Sequence, residues 1–267
     1  MIFKKLTTKI IFINFLLTLS IQISPASTEQ SSNTAKMVLE KTLDKYSRLF
    51  SKNHSDAENI TSKLLIKGGR SIKMGNSGNI FVDLNLDVDL YVSQSNNFYL
   101  DISGNLGKAQ IFLEKEYLNL ATIILPVIKQ FSIINVPERI AKRYNDLRSL
   151  EGRENIWKNS VLEYNGVQDF KVGKVHKITI KSAILPAKSS TVIYILDKKW
   201  DPVRFELEDA QGMAVIIDVQ KLNFKAKIPK EQFIPDTDGY TQITPQQLTS
   251  AIIMQIMALG IQGSQMK

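Results

Sequence analysis

A strict alternation of apolar and polar positions marks residues 81–92. Leucine or valine fills every second position from Val82 to Val92, and four of the positions between them hold aspartate or asparagine. This period-2 pattern predicts a strand with one buried face and one solvated face. A one-residue shift would bury three aspartates, so the register is well defined.

Shorter apolar runs on both sides of this segment predict further strands of an antiparallel meander. They lie at about 63–67, 72–74, 98–102 and 109–113. Gly68-Gly69 separates the first two runs and is typical of a turn. Strands dominate again between residues 160 and 228, at about 172–180, 190–196, 203–208 and 213–219.

A few helices are predicted around these strands. They are expected at about 35–50, 119–131, 136–150 and 246–261. The first has apolar positions every three or four residues. The second lies in a strongly apolar run, Leu118 to Val136, which Pro126 interrupts. The last follows Pro245 and either docks on its own domain or binds a membrane or a partner helix. Strands joined by short turns, with few helices, indicate an α+β fold, and a sheet of about ten strands tends to curl and form a concave face.

The residue types of the common catalytic chemistries are scarce. The 267 residues include no cysteine and two histidines, His54 and His176, neither with a partner at a recognisable spacing. The chain therefore has no disulfide framework, thiolate zinc site, iron–sulfur cluster, cysteine nucleophile or lipid-modified cysteine. We expect neither an enzyme nor a cofactor or metal, and we interpret both histidines as surface or structural residues.

Residues 1–26 have the features of a secretory signal peptide. Three lysines flank or precede an apolar run from Ile10 to Leu19, and Ser24-Pro25-Ala26 fits a cleavage site after Ala26. The alternative is a membrane anchor, although the run is shorter than the ~20 residues that span a bilayer. Cleavage would remove three lysines and lower the formal charge from +8 to +5. An exported chain without a basic-aromatic motif is not expected to bind nucleic acid.

The order of elements in residues 196–241 carries a family resemblance. A strand, the turn Trp200-Asp201-Pro202, a second strand, an Asp-x-x-Gly turn and a longer strand precede Ile-Pro-x-x-x-Phe-x-Pro. With the signal peptide and the first helix, this order resembles the LolA-type periplasmic lipoprotein carriers and their LolB and RseB-type relatives. The resemblance implies a strongly curved antiparallel sheet, an incomplete barrel, whose helices cover or plug the concave face. It implies an open-barrel domain at 27–243, with a helical insert at about 117–150 and a C-terminal extension at 244–267.

The resemblance also implies a function. The expected protein is a monomeric periplasmic carrier, a chaperone of outer-membrane biogenesis, that binds lipoprotein acyl chains or another lipid. Burial of hydrocarbon contributes about 0.8 kcal/mol per CH₂, so such a site needs apolar surface and no chemistry. We expect the cavity wall to include Leu84, Leu86, Leu90, Leu100 and Ile102. We expect a mobile lid to include Ile124, Ile128 and Phe131, with ordinary core helices as the alternative.

Two other functions stay open at this point. RseB-type relatives are envelope sensors, so the chain is alternatively a scaffold that binds an inner- or outer-membrane protein. A secreted hydrolase that uses paired carboxylates is the remote alternative, because such pairs come together only in the fold.

Overall fold

The computed structural model describes residues 29–46, 59–73, 79–93, 97–113, 120–138, 149–181, 190–208, 214–224 and 226–264. The predicted signal peptide and His54 lie outside these ranges. The helices are α1 (Glu29–Tyr46), α2 (Leu150–Lys158) and α3 (Pro245–Ser264), with 3₁₀ turns at Pro126–Ile128 and Lys230–Phe233. The strands are β1 (Ile60–Lys73), β2 (Asn79–Val92), β3 (Phe98–Gly104), β4 (Gly107–Leu113), β5 (Leu120–Leu125), β6 (Gln130–Asn135), β7 (Val161–Phe170), β8 (Gly173–Lys181), β9 (Ser190–Leu196), β10 (Pro202–Glu208), β11 (Ala214–Asn223) and β12 (Thr241–Gln242).

The strands form one curved, unclosed sheet in the order β12-β6-β5-β4-β3-β2-β1-β11-β10-β9-β8-β7. Neighbours are antiparallel, except that the two-residue β12 runs parallel to β6. The predicted α+β fold with an open antiparallel sheet is confirmed, with twelve strands instead of about ten. None of the helices in the described ranges combines the length and the apolar character that a membrane-spanning helix needs.

One face of the sheet, called the inner face below, carries the main core. Strand pairing aligns side chains into apolar rows across it, one of which consists of Leu86, Ile66, Ile217, Phe205, Ile193 and Ile178. Helices α1 and α3 contribute to the same core, through Ala35 and Val38 and through Leu248 and Ala251. The alternation predicted for 82–92 is confirmed, since Leu84, Leu86, Val88 and Leu90 belong to this core while the aspartates between them lie on the opposite, outer face.

The predicted helix over 119–131 is wrong, because the segment forms the hairpin β5–β6. Pro126 opens the 3₁₀ turn and Lys129, with φ 49°, closes it. An apolar run does not distinguish a helix from a strand that is covered on both faces. Near the turn of this hairpin both faces are covered, since Ile123 faces the inner core and Ile124 faces a second cluster outside. The next predicted helix, 136–150, falls largely outside the described residues, and α2 begins only at Leu150, with the Ser149 hydroxyl as its N-cap.

Residues 63–67 and 72–74 do not form two strands, because β1 continues through Gly68-Gly69. A Cβ atom on Gly68 would lie 2.5 Å from the carbonyl oxygen of Ala214, so the glycine permits close approach of β11 and does not make a turn. The first helix starts at Glu29, earlier than predicted, and residues 47–50 lie outside the described ranges. The predicted last helix is confirmed as α3.

Candidate functional site

The five residues predicted for a cavity wall share the inner face. Leu84, Leu86 and Leu90 lie on β2, and Leu100 and Ile102 lie on β3. Leu100 is 3% exposed and belongs to the main core, and the other four are partly buried against it. The structure therefore brings these residues together on one apolar face, to whose core α1 and α3 also contribute.

The three residues predicted for a lid do not share one surface. Ile128, in the 3₁₀ turn between β5 and β6, packs against the inner core. Ile124 and Phe131 form a cross-strand pair on the outer face and belong to a separate cluster. Only Ile128 therefore lies where a cover of the inner face would be.

The outer face carries an aromatic cluster that the sequence analysis did not identify. Tyr91, Tyr99 and Phe112 stack across β2, β3 and β4, with centroid distances of 5.3 and 4.7 Å. Burial, and then the charge of Asp101, raises the pKa of Tyr99 to about 12. The 3₁₀ turn Lys230–Phe233 covers this cluster through Phe233, which is 7% exposed. The signal in the sequence was one aromatic residue at an outer-face position of each of three consecutive strands, together with the Ile-Pro-x-x-x-Phe motif.

An ion pair and hydrogen bonds attach helix α1 to the β9–β10 turn. Asp201 forms an ion pair with Lys45 and accepts a hydrogen bond of 2.8 Å from the hydroxyl of Tyr46. Lys45 also donates to the carbonyl of Lys199 at 2.7 Å. Burial, followed by the hydrogen bond to Asp201, holds the pKa of Tyr46 far above its ordinary value, so this hydroxyl remains a donor. The Trp-Asp-Pro turn therefore anchors the C-terminal end of α1.

Helix α1 is also tied to α2. Arg153 lies 3.2 Å from the carboxylate of Glu40 and 3.1 Å from that of Asp44. The indole N–H of Trp157 donates to Glu40. These three α1–α2 contacts, together with those to Asp201, fix both flanks of α1 over the sheet.

His176 lies in the polar rim between the sheet and α1. Its ring stacks on Trp200 at 5.4 Å with an interplanar angle of 3°, and Lys41 lies over the same indole. The Tyr164 hydroxyl is 2.9 Å from Nδ1, and an oxygen of Asp197 is 3.2 Å from Nε2 without hydrogen-bond geometry. Burial, and then Asp197, raises the pKa of Tyr164, which is opposite to what an activated tyrosine nucleophile needs. The group is therefore a structural contact of α1.

Helix α3 is held in a different way. Its N-terminus has a reciprocal cap, in which Thr244 N–H donates to the side chain of Gln247 and Gln247 N–H donates to the Thr244 hydroxyl. Further along, Gln255 is 2% exposed and donates to the carbonyl of Leu106 at 3.1 Å. A Cβ atom on Gly107 would lie 2.2 Å from the Gln255 amide nitrogen, so the β3–β4 turn leaves just enough space for this side chain.

Two depressions in the described surface lie on helices and away from the inner face. One, of about 480 Å³, is lined by Glu29, Gln30, Asn33, Thr34 and Met37 of α1. The other, of about 360 Å³, is lined by polar residues between Ser149 and Lys158. Within the described ranges, no cluster of three or more histidine or acidic side chains is arranged to hold a metal ion.

No protein-family model matches the sequence, and no curated protein matches it. Similar solved structures include an uncharacterised conserved protein from Thermus thermophilus, 13% identical over 79% of this chain and 99% of its own, with a TM-score of 0.49. Lipoprotein LppX from Mycobacterium tuberculosis is 12% identical over 74% of this chain and 99% of its own, with a TM-score of 0.43. A LolA superfamily protein from Nitrosomonas europaea is 9% identical over 74% of this chain and 97% of its own, with a TM-score of 0.35. LolA-type proteins, which residues 196–241 resemble, are thus among the solved structures to which this chain is similar, at identities that concern the fold alone.

Proposed function

We propose that this protein is a non-catalytic carrier of an apolar ligand, such as an acyl chain, which binds between the inner face and its covering helices. The observation that supports the proposal is the division of the sheet into two faces. The inner face is mainly apolar, with Ser62, Ser132 and Thr191 as buried polar exceptions, whereas charged residues lie on the outer face and in the rim around α1. A ligand made mostly of hydrocarbon requires an apolar surface of this kind.

The proposed wall consists of Leu84, Leu86, Leu90, Leu100 and Ile102, with Ile128 at its end. In this proposal the chain is exported to the periplasm after cleavage near Ala26 and moves its ligand towards the outer membrane. In this proposal the ligand reaches the wall between the sheet and the helices that pack on the inner face.

The proposal is tested by binding of a fluorescent fatty acid and by mass spectrometry of lipid that copurifies with the full chain. Leu86→Gln changes the inner face, and Leu65→Gln is its matched control, since Leu65 is also half-buried but lies on the outer face of the neighbouring strand. We expect Leu86→Gln to weaken binding about tenfold, because burying a leucine contributes about 1.5–3 kcal/mol. We expect Leu65→Gln to bind within twofold of the wild type. Absence of both retained lipid and fatty-acid uptake would refute the carrier function.

A protein partner is the second candidate, and one observation favours it. Leu120 and Ile133 are diagonal neighbours on the outer face near the β6 edge, and they are 41% and 43% exposed. Exposed apolar neighbours of this kind are typical of interaction surfaces. A membrane-protein partner that Ile128→Ala retains but Leu120→Ser/Ile133→Ser loses would support this function. Loss with Ile128→Ala alone would contradict it.

A further inference from the structure

Two buried serines interrupt the apolar inner face, and their hydroxyls differ in one respect. Ser62, on β1, is 5% exposed, and its hydroxyl donates a hydrogen bond of 3.0 Å to the carbonyl of Lys221. Ser132, on β6, is 0% exposed, and its hydroxyl has no hydrogen-bond partner within the described ranges. A buried polar group without a partner costs free energy and is rare in folded proteins, so the Ser132 hydroxyl requires a physical reason.

Strand pairing places Ser132 at the end of an apolar row on the inner face. The row runs from Leu90 on β2 through its successive cross-strand partners Leu100, Ile111 and Ile123 to Ser132. Leu90 and Leu100 belong to the proposed wall, and all four apolar members lie in the main core or pack against it. The four spacings between β2 and β6, of about 4.8 Å each, give a row about 19 Å long. The row therefore offers apolar contact along its length and one hydroxyl at its end.

The chemistry of this hydroxyl favours a neutral acceptor. A serine hydroxyl donates one hydrogen bond, which satisfies a carbonyl oxygen but does not replace the hydration of a buried carboxylate. Gln255 on α3 also has a buried atom without a partner among the described residues, but this atom is the amide oxygen, which cannot donate to a carbonyl. Of these two groups, only Ser132 can bind a carbonyl oxygen.

We propose that Ser132 is the polar anchor of the ligand site. Its hydroxyl donates to the carbonyl oxygen of a long-chain acyl ester, whose hydrocarbon chain lies along the row towards Leu90. This inference rests on the proposed carrier function, and it adds the orientation of the ligand and the chemical class of its head.

The test compares Ser132→Ala with its matched control Ser62→Ala in the full chain. Without ligand, Ser132→Ala should raise the melting temperature by about 2–4 °C, because it removes a polar group whose burial is not compensated. Ser62→Ala should lower the melting temperature by about the same amount, because it removes a hydrogen bond.

Binding is then measured by competition with a fluorescent fatty acid. The two competitors are methyl oleate and 1-octadecene, a hydrocarbon with a chain of the same length and no carbonyl. We expect Ser132→Ala to weaken binding of methyl oleate about fivefold, which corresponds to one neutral hydrogen bond of about 1 kcal/mol. Binding of 1-octadecene should change less than twofold, and Ser62→Ala should bind both competitors within twofold of the wild type.

The possible failures are distinguishable. If methyl oleate binds but Ser132→Ala weakens it less than twofold, Ser132 is not the anchor, and the carrier function stands. Equal weakening of methyl oleate and 1-octadecene would also overturn the anchor, because the loss would then come from packing. A lower melting temperature of Ser132→Ala would contradict the premise that its hydroxyl has no partner in the ligand-free protein. If neither the fatty acid nor methyl oleate binds, the carrier function fails and the anchor fails with it.

Discussion

The contact of α3 with the β3–β4 turn gives a specific prediction for Gly107. This residue has φ +102°, and an added Cβ would lie 2.2, 2.6 and 2.8 Å from three side-chain atoms of Gln255. Gly173 provides the matched control, because it has φ +125° in another hairpin turn and its Cβ would meet only Leu196, at 3.7 Å. Gly107→Ala and Gly173→Ala therefore share the backbone penalty, and only the first collides with α3.

The two substitutions differ in their expected cost. A non-glycine residue at positive φ costs about 1–2 kcal/mol in either turn. At Gly107 the collision also displaces Gln255, which loses a hydrogen bond of about 1 kcal/mol and its close packing, for about 1–3 kcal/mol more. Because the Gln255 side chain is flexible and can shift, we take the middle of this range and not its upper end. We expect Gly107→Ala to lower the unfolding free energy by roughly 2 kcal/mol more than Gly173→Ala.

Urea denaturation measures this difference, and hydrogen exchange locates it. Amides of α3 should exchange faster in Gly107→Ala and at the wild-type rate in Gly173→Ala. Gln255→Ala removes the same hydrogen bond and packing that Gly107→Ala has already lost, so it should cost about 1 kcal/mol less in the Gly107→Ala background than in the Gly173→Ala background. Equal destabilisation by the two glycine substitutions, or an equal cost of Gln255→Ala in both backgrounds, would refute the described contact between α3 and the β3–β4 turn.

Two further predictions concern charged groups. Asp201→Asn should lower the unfolding free energy by about 1.5 kcal/mol, since Lys45 and Tyr46 lose a charged partner, and the pKa of Tyr46 should fall in a spectrophotometric titration. Burial, and then Asp89 across the strand pair, raise the pKa of Asp101 in the folded protein. The fold therefore favours the protonated carboxyl, so the stabilising contribution of Asp101 is complete below its unfolded pKa and is lost as pH rises through the folded pKa. Asp101→Asn should therefore stabilise the protein by about 0.5 kcal/mol at pH 7, with no gain in urea denaturation below about pH 4; a gain that is independent of pH would contradict this.

Local sequence patterns predicted the parts of the fold in which the pattern is compatible with only one local structure. The alternation at 82–92 has only one register that keeps the aspartates in solvent, and β2 has it. Pro245 favours the first turn of a helix, and α3 begins there. The secondary-structure prediction failed where the same residue type is compatible with two local structures. Gly68 makes room for a neighbouring strand instead of a turn, and the isoleucines of 119–131 form a doubly covered hairpin.

The contacts that attach the two helices to the sheet could not be predicted from local patterns. Asp201 and Tyr46 are 155 positions apart, and Gln255 and Leu106 are 149 apart. The local sequence around these residues does not predict either contact. Each contact depends on the tertiary arrangement, which places one particular turn of the sheet beside one particular helix. The wall residues were predicted from alternation, whereas the outer aromatic cluster required knowledge of what covers each face.

The difference between the two helices on the inner face follows from where the chain places its charges. Asp44 follows Glu40 by four residues and Lys45 follows it by five on α1. The two acids lie on one side of the buried stripe and pair with Arg153 of α2, whereas Lys45 lies on the other side and pairs with Asp201 of the β9–β10 turn. Helix α3 has no such edges and relies on apolar burial. The ion pairs of α1 are partly exposed to solvent, so each contributes about 0–1 kcal/mol. Both helices therefore depend mainly on apolar burial, and the charged edges of α1 chiefly fix its orientation on the sheet.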